Sequence, residues 1–537
     1  MSDTESTRLL KKSSFEEETT IETPLIATSG KTSLVPLEES PHGRHLGLYS
    51  TIILFISRMV GSGIFATPGL VFKEMQGSTI LFLITWVVGG IVTYSGLAVY
   101  LELGSLIPRS GGTKIFLEFI FPNPKFFWSI IFGTFSIFFN FCSTNSIIFA
   151  EYLRFSLDYP NDEYQTKKLA ILLIISGFFV HSYSKKFGIY CQNIVGSLKL
   201  LTLILMILIN LYILLIPSSI SHIEKLPLRE VFKFNKNEIL KINDIPLPVI
   251  VSALLKTIYS FSGWISAHNV QNEIKNPIKT LKYGANISYL SIFVLYIIMN
   301  LTYLIIIPHK DILNSGELIG AILFKIIFGK NIGQRLLSLI ISLSAASNVL
   351  VVIFADSRLN QEIAREGFLF GHKLISRNYR PFNTPILAIL LHCTISIMVI
   401  LIPSKGEIYN FIVSMQIYPN QIFNVVICLG IIKIRNKFKK IKAPIRIMTF
   451  LIYLCLVSSL GIIVSPLIEI LINKNGNGDD NGEYGYIIGG LLVITIGIIY
   501  WAIFVKLLPY IGKYKIVRKR IVLEDGLEIK VWNKKHL

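Results

Sequence analysis

Apolar runs of about twenty residues recur along most of this chain, and each is long enough to cross the roughly 30 Å of a bilayer's hydrocarbon core. About twelve such runs are read, over 46–72, 79–106, 126–153, 168–183, 189–217, 247–268, 283–307, 334–357, 385–403, 407–432, 443–472 and 485–508. Only 16% of the residues are charged, too few to cover the surface of a soluble protein of 537 residues. The expectation is an all-α polytopic membrane protein with about 12 transmembrane helices.

The ends differ from the middle. Residues 1–45 are rich in Ser, Thr, Glu and Pro and hold no apolar run, so they read as a disordered cytosolic N-tail. They have neither the short apolar core of a signal peptide nor the basic start of a transit peptide. The formal net charge of +19 comes instead from alternate loops. Basic residues follow spans 2 (Arg109, Lys114, Lys125), 4 (Lys185, Lys186), 6 (Lys275, Lys279, Lys282) and 8 (Arg365, Lys373, Arg377, Arg380). "KIRNKFKKIK" (433–442) follows span 10, and residues 509–537 form a basic C-tail containing "KYKIVRKR" (513–520). The loops between mix signs or lean acidic, as in "NKNGNGDDNGEYG" (473–485). By the positive-inside rule both termini are cytosolic. This topology accounts for the basicity without a nucleic-acid partner.

Several function classes lack their equipment. The five cysteines, Cys142, Cys191, Cys393, Cys428 and Cys455, all fall within spans, with no metal-ligand or redox spacing. Neither a nucleotide-binding loop nor a nucleophile–base constellation appears, so no enzyme, cofactor or metal is expected and an ATP-driven pump has no engine. A channel, a receptor or a gradient-driven carrier remains.

Two spans interrupt themselves. "SRMVGSGIFATPG" (57–69) and "TIYSFSGWISAHN" (257–269) place small, polar and helix-breaking residues within apolar runs. Irregular backbone at membrane depth is tolerated where it lines a cavity or is buried in protein. The breaks fall in the first and sixth spans, matching places if five spans (46–217) repeat with inverted topology (247–432), leaving 443–508 as two extra spans. Such paired breaks point to a transporter's binding site. A half-helix starting at Gly63 offers free amides and a positive dipole end to an anion. Carbonyls freed at Tyr259, Ser260 and Ser262 offer acceptors to a cation. An anion and an ammonium a few ångströms apart describe an α-amino acid. Small residues that merely permit tight helix packing are the alternative reading.

These residues also carry a resemblance. "GSGIFATP" (61–68), "YLELGSLIPRSGG" (100–112), "SFSGWISAHNVQNEIKNP" (260–277) and "SRLNQEIAREG" (357–367) resemble signatures of the amino-acid/polyamine/organocation superfamily, in its L-type amino-acid transporter branch. "SRMVGSGIF", "FPNPKFFW" and "RLNQEIAREG" look most like fungal methionine permeases. The resemblance runs from about residue 46 to residue 510 and implies ten spans in two inverted halves plus two more. It also implies an α-amino acid held between spans 1 and 6. The amides of Ser62, Gly63 and Ile64 would take the carboxylate, and carbonyls of Met59, Tyr259, Ser260 and Ser262 the ammonium. Tyr259 would cap the substrate. Selectivity would rest on Phe139, Asn140 and Ser143 of span 3 and Ala345, Asn348 and Val352 of span 8. Since one methylene is worth only about 1–3 kcal/mol, a broad neutral amino-acid permease or exchanger stays open beside methionine and cysteine uptake. A non-transporting nutrient sensor is a further alternative of another class.

Charges inside spans need partners, because each costs at least about 2.5 kcal/mol unpaired at depth. Arg58, where relatives in the branch often have an uncharged residue, is expected to form a cytosolic gate with Glu102 and Asp356. Lys199 in "VGSLKLLTLIL" (195–205) has only apolar and small neighbours in sequence. The resemblance places such a lysine where sodium-coupled members hold an ion, so Lys199, with Asn348 beside it, is expected to couple transport to protons at the plasma membrane. The loop "FSLDYPNDEYQTKK" (155–168) lacks the cysteine that tethers a heavy chain in animal relatives. Lys11, Lys12 and Lys31 lie among acidic tail residues, an arrangement suited to ubiquitin attachment through a ligase adaptor.

Overall fold

The computed structural model describes residues 44, 47–109, 111–160, 162–183, 201, 204–213, 215–216, 225–226, 245–269, 271, 274–365, 367–369, 371–379, 384–402, 408–438, 443–472, 485–522 and 528–536. Among them, seven helices are long and apolar enough to cross a membrane, and Ile204–Ile213, Leu247–Ser260 and Ile386–Leu401 are shorter apolar helices. The protein is all-α through the membrane. Most of the fifth span, with Lys199, and the N-tail lysines lie outside the described residues.

The first run is two helices, α1 (Leu48–Met59) and α2 (Gly63–Glu74), with a bend at 60–62. Helix α3 (Thr79–Leu106) coincides with the second run. Ser78 caps it by accepting from the Leu81 amide at 3.3 Å. The hydroxyls of Thr85 and Thr93 bond back to carbonyls four residues earlier, at 2.8 Å each, so neither faces lipid unsatisfied. A short α4 (Gly112–Ile120) follows, which hydropathy did not separate from the loop.

The third run differs from expectation. It divides into α5 (Phe127–Phe139) and α6 (Ser143–Ser156), with a break at Asn140–Cys142. No glycine or proline marks this break, and "FNFCS" is apolar enough to read as continuous helix. Helix α7 (Glu163–Tyr183) is the fourth span.

The sixth run again comprises two pieces, α8 (Leu247–Ser260) and α9 (Ser266–Asn269). Helix α10 (Pro277–Ile306) opens with proline at its first position, where no amide is missed. Beyond it lie α11 (Ile319–Gly329), a π-helical turn at Lys330–Leu337, and α12 (Ser338–Arg365). Helices α13 (Ile386–Leu401), α14 (Ile408–Lys437), α15 (Thr449–Ile472) and α16 (Gly485–Trp501) complete the bundle. On α15 and α16, Phe450, Val457, Ile488 and Leu492 are exposed, an apolar face suited to lipid.

The basic C-tail is structured. β1 (Tyr514–Val522) pairs antiparallel with β2 (Glu528–His536). Ile516, Val517, Ile521 and Val522 in one segment and Ile529 and Val531 in the other favour strand, a signal that the charge masked in the sequence. Trp532 anchors the hairpin: its ring lies 3.9 Å from Phe126, 5.2 Å from Phe368 and 6.0 Å from Phe504, centre to centre.

Candidate functional site

The two broken spans meet at their breaks. Gly263 has φ +108°, and a Cβ there would lie 2.5 Å from the Arg58 carbonyl oxygen, so only glycine fits this crossing. On the other side of the break, a Cβ on Gly63 would lie 2.6 Å from the Ser260 Cα. Thr67 stitches the pieces, its hydroxyl 2.8 Å from Ser260 Oγ and donating to the Gly63 carbonyl at 3.0 Å. Close backbone approach brings the helix ends together.

The start of α2 is an uncapped helix terminus. Phe65 and Ala66 donate to the Ser62 carbonyl, both at 3.0 Å. Among the described residues no carbonyl accepts from the amides of Ser62, Gly63 or Ile64. Three donors therefore point from a positive helix end, the arrangement that binds a carboxylate. Inside α2, Pro68 has no amide to give the Ile64 carbonyl, which accepts instead from the Tyr303 hydroxyl at 3.1 Å. Tyr152 likewise donates to the Phe65 carbonyl at 2.7 Å. These phenols hold the half-helix without occupying its free end.

The acceptors across the break divide. The Tyr259 carbonyl is already engaged, by the Ser262 amide at 3.0 Å and the Ser262 hydroxyl at 2.7 Å. That fills both lone pairs and takes Tyr259 out of the expected ammonium ligands. The Met59 carbonyl accepts once, from the Tyr296 hydroxyl at 3.2 Å. Among the described residues no donor reaches the carbonyls of Ser260 or Ser262. The Tyr259 hydroxyl faces Ser62 and Thr144, so its side chain bridges from one break to the other.

Of the expected selectivity residues, one joins this centre. Asn348 on α12 donates to Asn145 Oδ1 at 3.5 Å, and that oxygen also accepts from the Ser62 hydroxyl at 2.9 Å. Asn145 was not singled out in the sequence, although it lies in the polar stretch "STNS" (143–146) directly after the third break. Ser143 donates to the Ser396 carbonyl of α13 at 2.7 Å, and Asn140 back to Ser136 Oγ of α5, the helix it ends, at 2.8 Å, so both polar side chains have partners within the bundle. Phe139 stacks on Phe135, with ring centres 5.5 Å apart. Ala345 is buried and Val352 half-buried on α12. Tyr409, buried on α14, packs edge-on against Tyr259 at 6.5 Å and was also missed.

The expected gate loses one member. Glu102 receives Arg435 Nε at 2.8 Å on one oxygen, and Arg435 Nη2 at 2.6 Å and the Ile447 amide at 2.9 Å on the other. Its carboxylate is saturated by α14 and the segment before α15, so it is no partner for Arg58. The mistake lay in counting Arg435 among loop charges when its side chain turns into the bundle. Asp356 does have Arg58 as its charged neighbour.

Sequence comparison places this site in a family. The amino acid permease family matches residues 46–506. The low-affinity methionine permease of Saccharomyces cerevisiae is 36% identical over 93% of this chain and 89% of its own length. The high-affinity methionine permease of the same yeast is 30% identical over 90% and 83%. Large neutral amino acids transporter small subunit 2 of Mus musculus is 26% identical over 75% and 72%. These relatives are permeases and transporters, not enzymes. The chain belongs to the amino acid permease family, in the L-type amino-acid transporter branch of the amino-acid/polyamine/organocation superfamily.

Proposed function

We propose that this permease imports methionine, with cysteine as a second substrate, across the plasma membrane in symport with protons. One observation carries the reading. Three uncommitted amides at Ser62, Gly63 and Ile64 face a break whose Ser260 and Ser262 carbonyls are also uncommitted. The carboxylate takes the amides; the ammonium takes Ser260, Ser262 and the remaining lone pair of Met59. The thioether then extends toward α6 and α12, where Asn145 and Asn348 bound the polar floor. The names of the two yeast relatives support methionine over other neutral amino acids. The basic alternate loops support cytosolic termini, which puts Arg58 and Asp356 on the cytosolic side of the break as a gate pair.

Coupling is assigned to Lys199 on sequence grounds. A desolvated lysine loses its proton readily, and its two charge states would favour different arrangements of the first break. A broader neutral amino-acid exchanger is the second reading, favoured by the likeness to the mouse transporter. Counterflow of labelled methionine against single unlabelled amino acids, with and without a proton gradient, separates the two. Symport predicts accumulation that collapses with the gradient and persists without an internal amino acid. In Lys199→Ala that accumulation disappears while exchange remains. Concentration of methionine by this variant under an imposed pH gradient puts the proton site elsewhere.

A further inference from the structure

Above the breaks, the same two half-helices share a buried charge pair. Lys256 on α8 is 1% exposed and pairs with Glu74, the last residue of α2. Ser252, one turn earlier on α8, donates to the same Glu74 oxygen at 2.7 Å and accepts from the Lys256 ammonium at 2.8 Å. The second oxygen of Glu74 is buried and has no partner among the described residues. The substrate contacts assigned above lie at Gly63, the other end of α2, and at Ser260, one turn past Lys256 on α8.

An ammonium this buried is expensive unless paired, and a charged residue within a span is a functional feature by default. Beside apolar packing, the other polar tie between α2 and α8 among the described residues is the Thr67–Ser260 hydrogen bond, where Gly63 closes on Ser260. The pair therefore ties one half-helix to the other and helps set their spacing. That spacing sets the distance from the amides at the start of α2 to the carbonyls after Ser260. We propose that Glu74 and Lys256 are positioning residues of the amino-acid site, acting through the two half-helices and touching no substrate themselves. This rests on the site assigned above.

The consequence falls on substrate affinity. Misplacing the carboxylate and ammonium cradles relative to one another weakens binding in the ground state and the transition state alike, which raises KM and spares kcat. In cells expressing the full chain, uptake of labelled methionine by Glu74→Gln and by Lys256→Gln should show KM at least tenfold higher, with kcat within about twofold once surface protein is normalised. The exchange of charges, Glu74→Lys with Lys256→Glu, restores the attraction across the seam and should bring KM back to within about threefold of the original. If the single variants fail to reach the surface, Ser252→Ala removes one bond from each partner without stranding a charge, and should raise KM about threefold. Single variants with unchanged KM and only a lower melting temperature would make the pair a stabilising feature and overturn the proposal. An exchange variant as impaired as the singles, or unchanged KM in Ser252→Ala, would overturn it too. Normal uptake by Gly63→Val removes the site itself. Loss of uptake there, with KM unchanged in Glu74→Gln, removes only the pair's role.

Discussion

Two seams in this bundle each bury a charge pair, and they are built differently. Between α2 and α8 the helices pack closely but the polar fastening is thin: among the described residues, one hydroxyl pair, and one oxygen of Glu74 shared by Lys256 and Ser252. Between α3 and α14 it is thick. Both oxygens of Glu102 are taken, Arg435 also donates to the Ile447 carbonyl at 2.8 Å and the Thr449 hydroxyl at 3.0 Å, and Ser105 accepts from the Ile445 amide at 3.3 Å. A bidentate pair with every lone pair answered fixes geometry and resists opening. A pair with an unanswered oxygen has less to lose when the helices move. The thin seam borders the proposed substrate site and the thick one ties scaffold helices, so the difference reads as a division between moving and standing parts.

The sharpest break of this contrast is at the thin seam. Gly63→Val puts a branched side chain where even a Cβ would lie 2.6 Å from Ser260. Methionine uptake should fall to background, at least about a hundredfold, while the protein still reaches the membrane, because the scaffold seam is intact. Uptake at the normal rate would mean that the half-helices need not touch.

The thick seam should respond in stability first. Arg435→Ala leaves the Glu102 carboxylate buried without its partner, a loss of about 3–5 kcal/mol. In detergent the purified variant should melt at a clearly lower temperature, and the KM of the surviving protein should match the original. A raised KM at normal stability would erase the proposed division.

A smaller effect is expected at the C-terminal hairpin. Trp532→Ala empties the aromatic socket of Phe126, Phe368 and Phe504, costing about 3 kcal/mol locally. Limited proteolysis should cut the tail more readily while methionine KM stays within twofold. Unchanged proteolysis would show that Trp532 does not hold the hairpin.

Much of the architecture was legible because lipid imposes length and apolarity, and α3 fits its run from end to end. The breaks at Gly61–Gly63 and Ser262–Gly263 were legible because small residues stand out inside apolar spans. The break at Asn140–Cys142 was hidden by apolar neighbours, and with it the role of Asn145. Side-chain partners across helices were harder still. Glu102 was assigned to Arg58 by depth alone, whereas the pairing with Arg435 depends on how far α14 extends past the apolar run, to Lys437. The pair of Lys256 with Glu74 likewise needs the register of two half-helices, which periodicity does not supply.

The central claim is that free amides at the start of α2 and free carbonyls after Ser260 hold the two ends of an α-amino acid. It is tested most directly by competition for labelled methionine binding to the purified protein, using analogues that lack one charge. The amine without a carboxylate, 3-(methylthio)propylamine, and the acid without an ammonium, 4-(methylthio)butanoate, keep the thioether tail. Both should compete at least about a hundredfold more weakly than methionine, since each leaves one half of the cradle unanswered. If either analogue competes as well as methionine, the broken helices are not what recognises the amino acid.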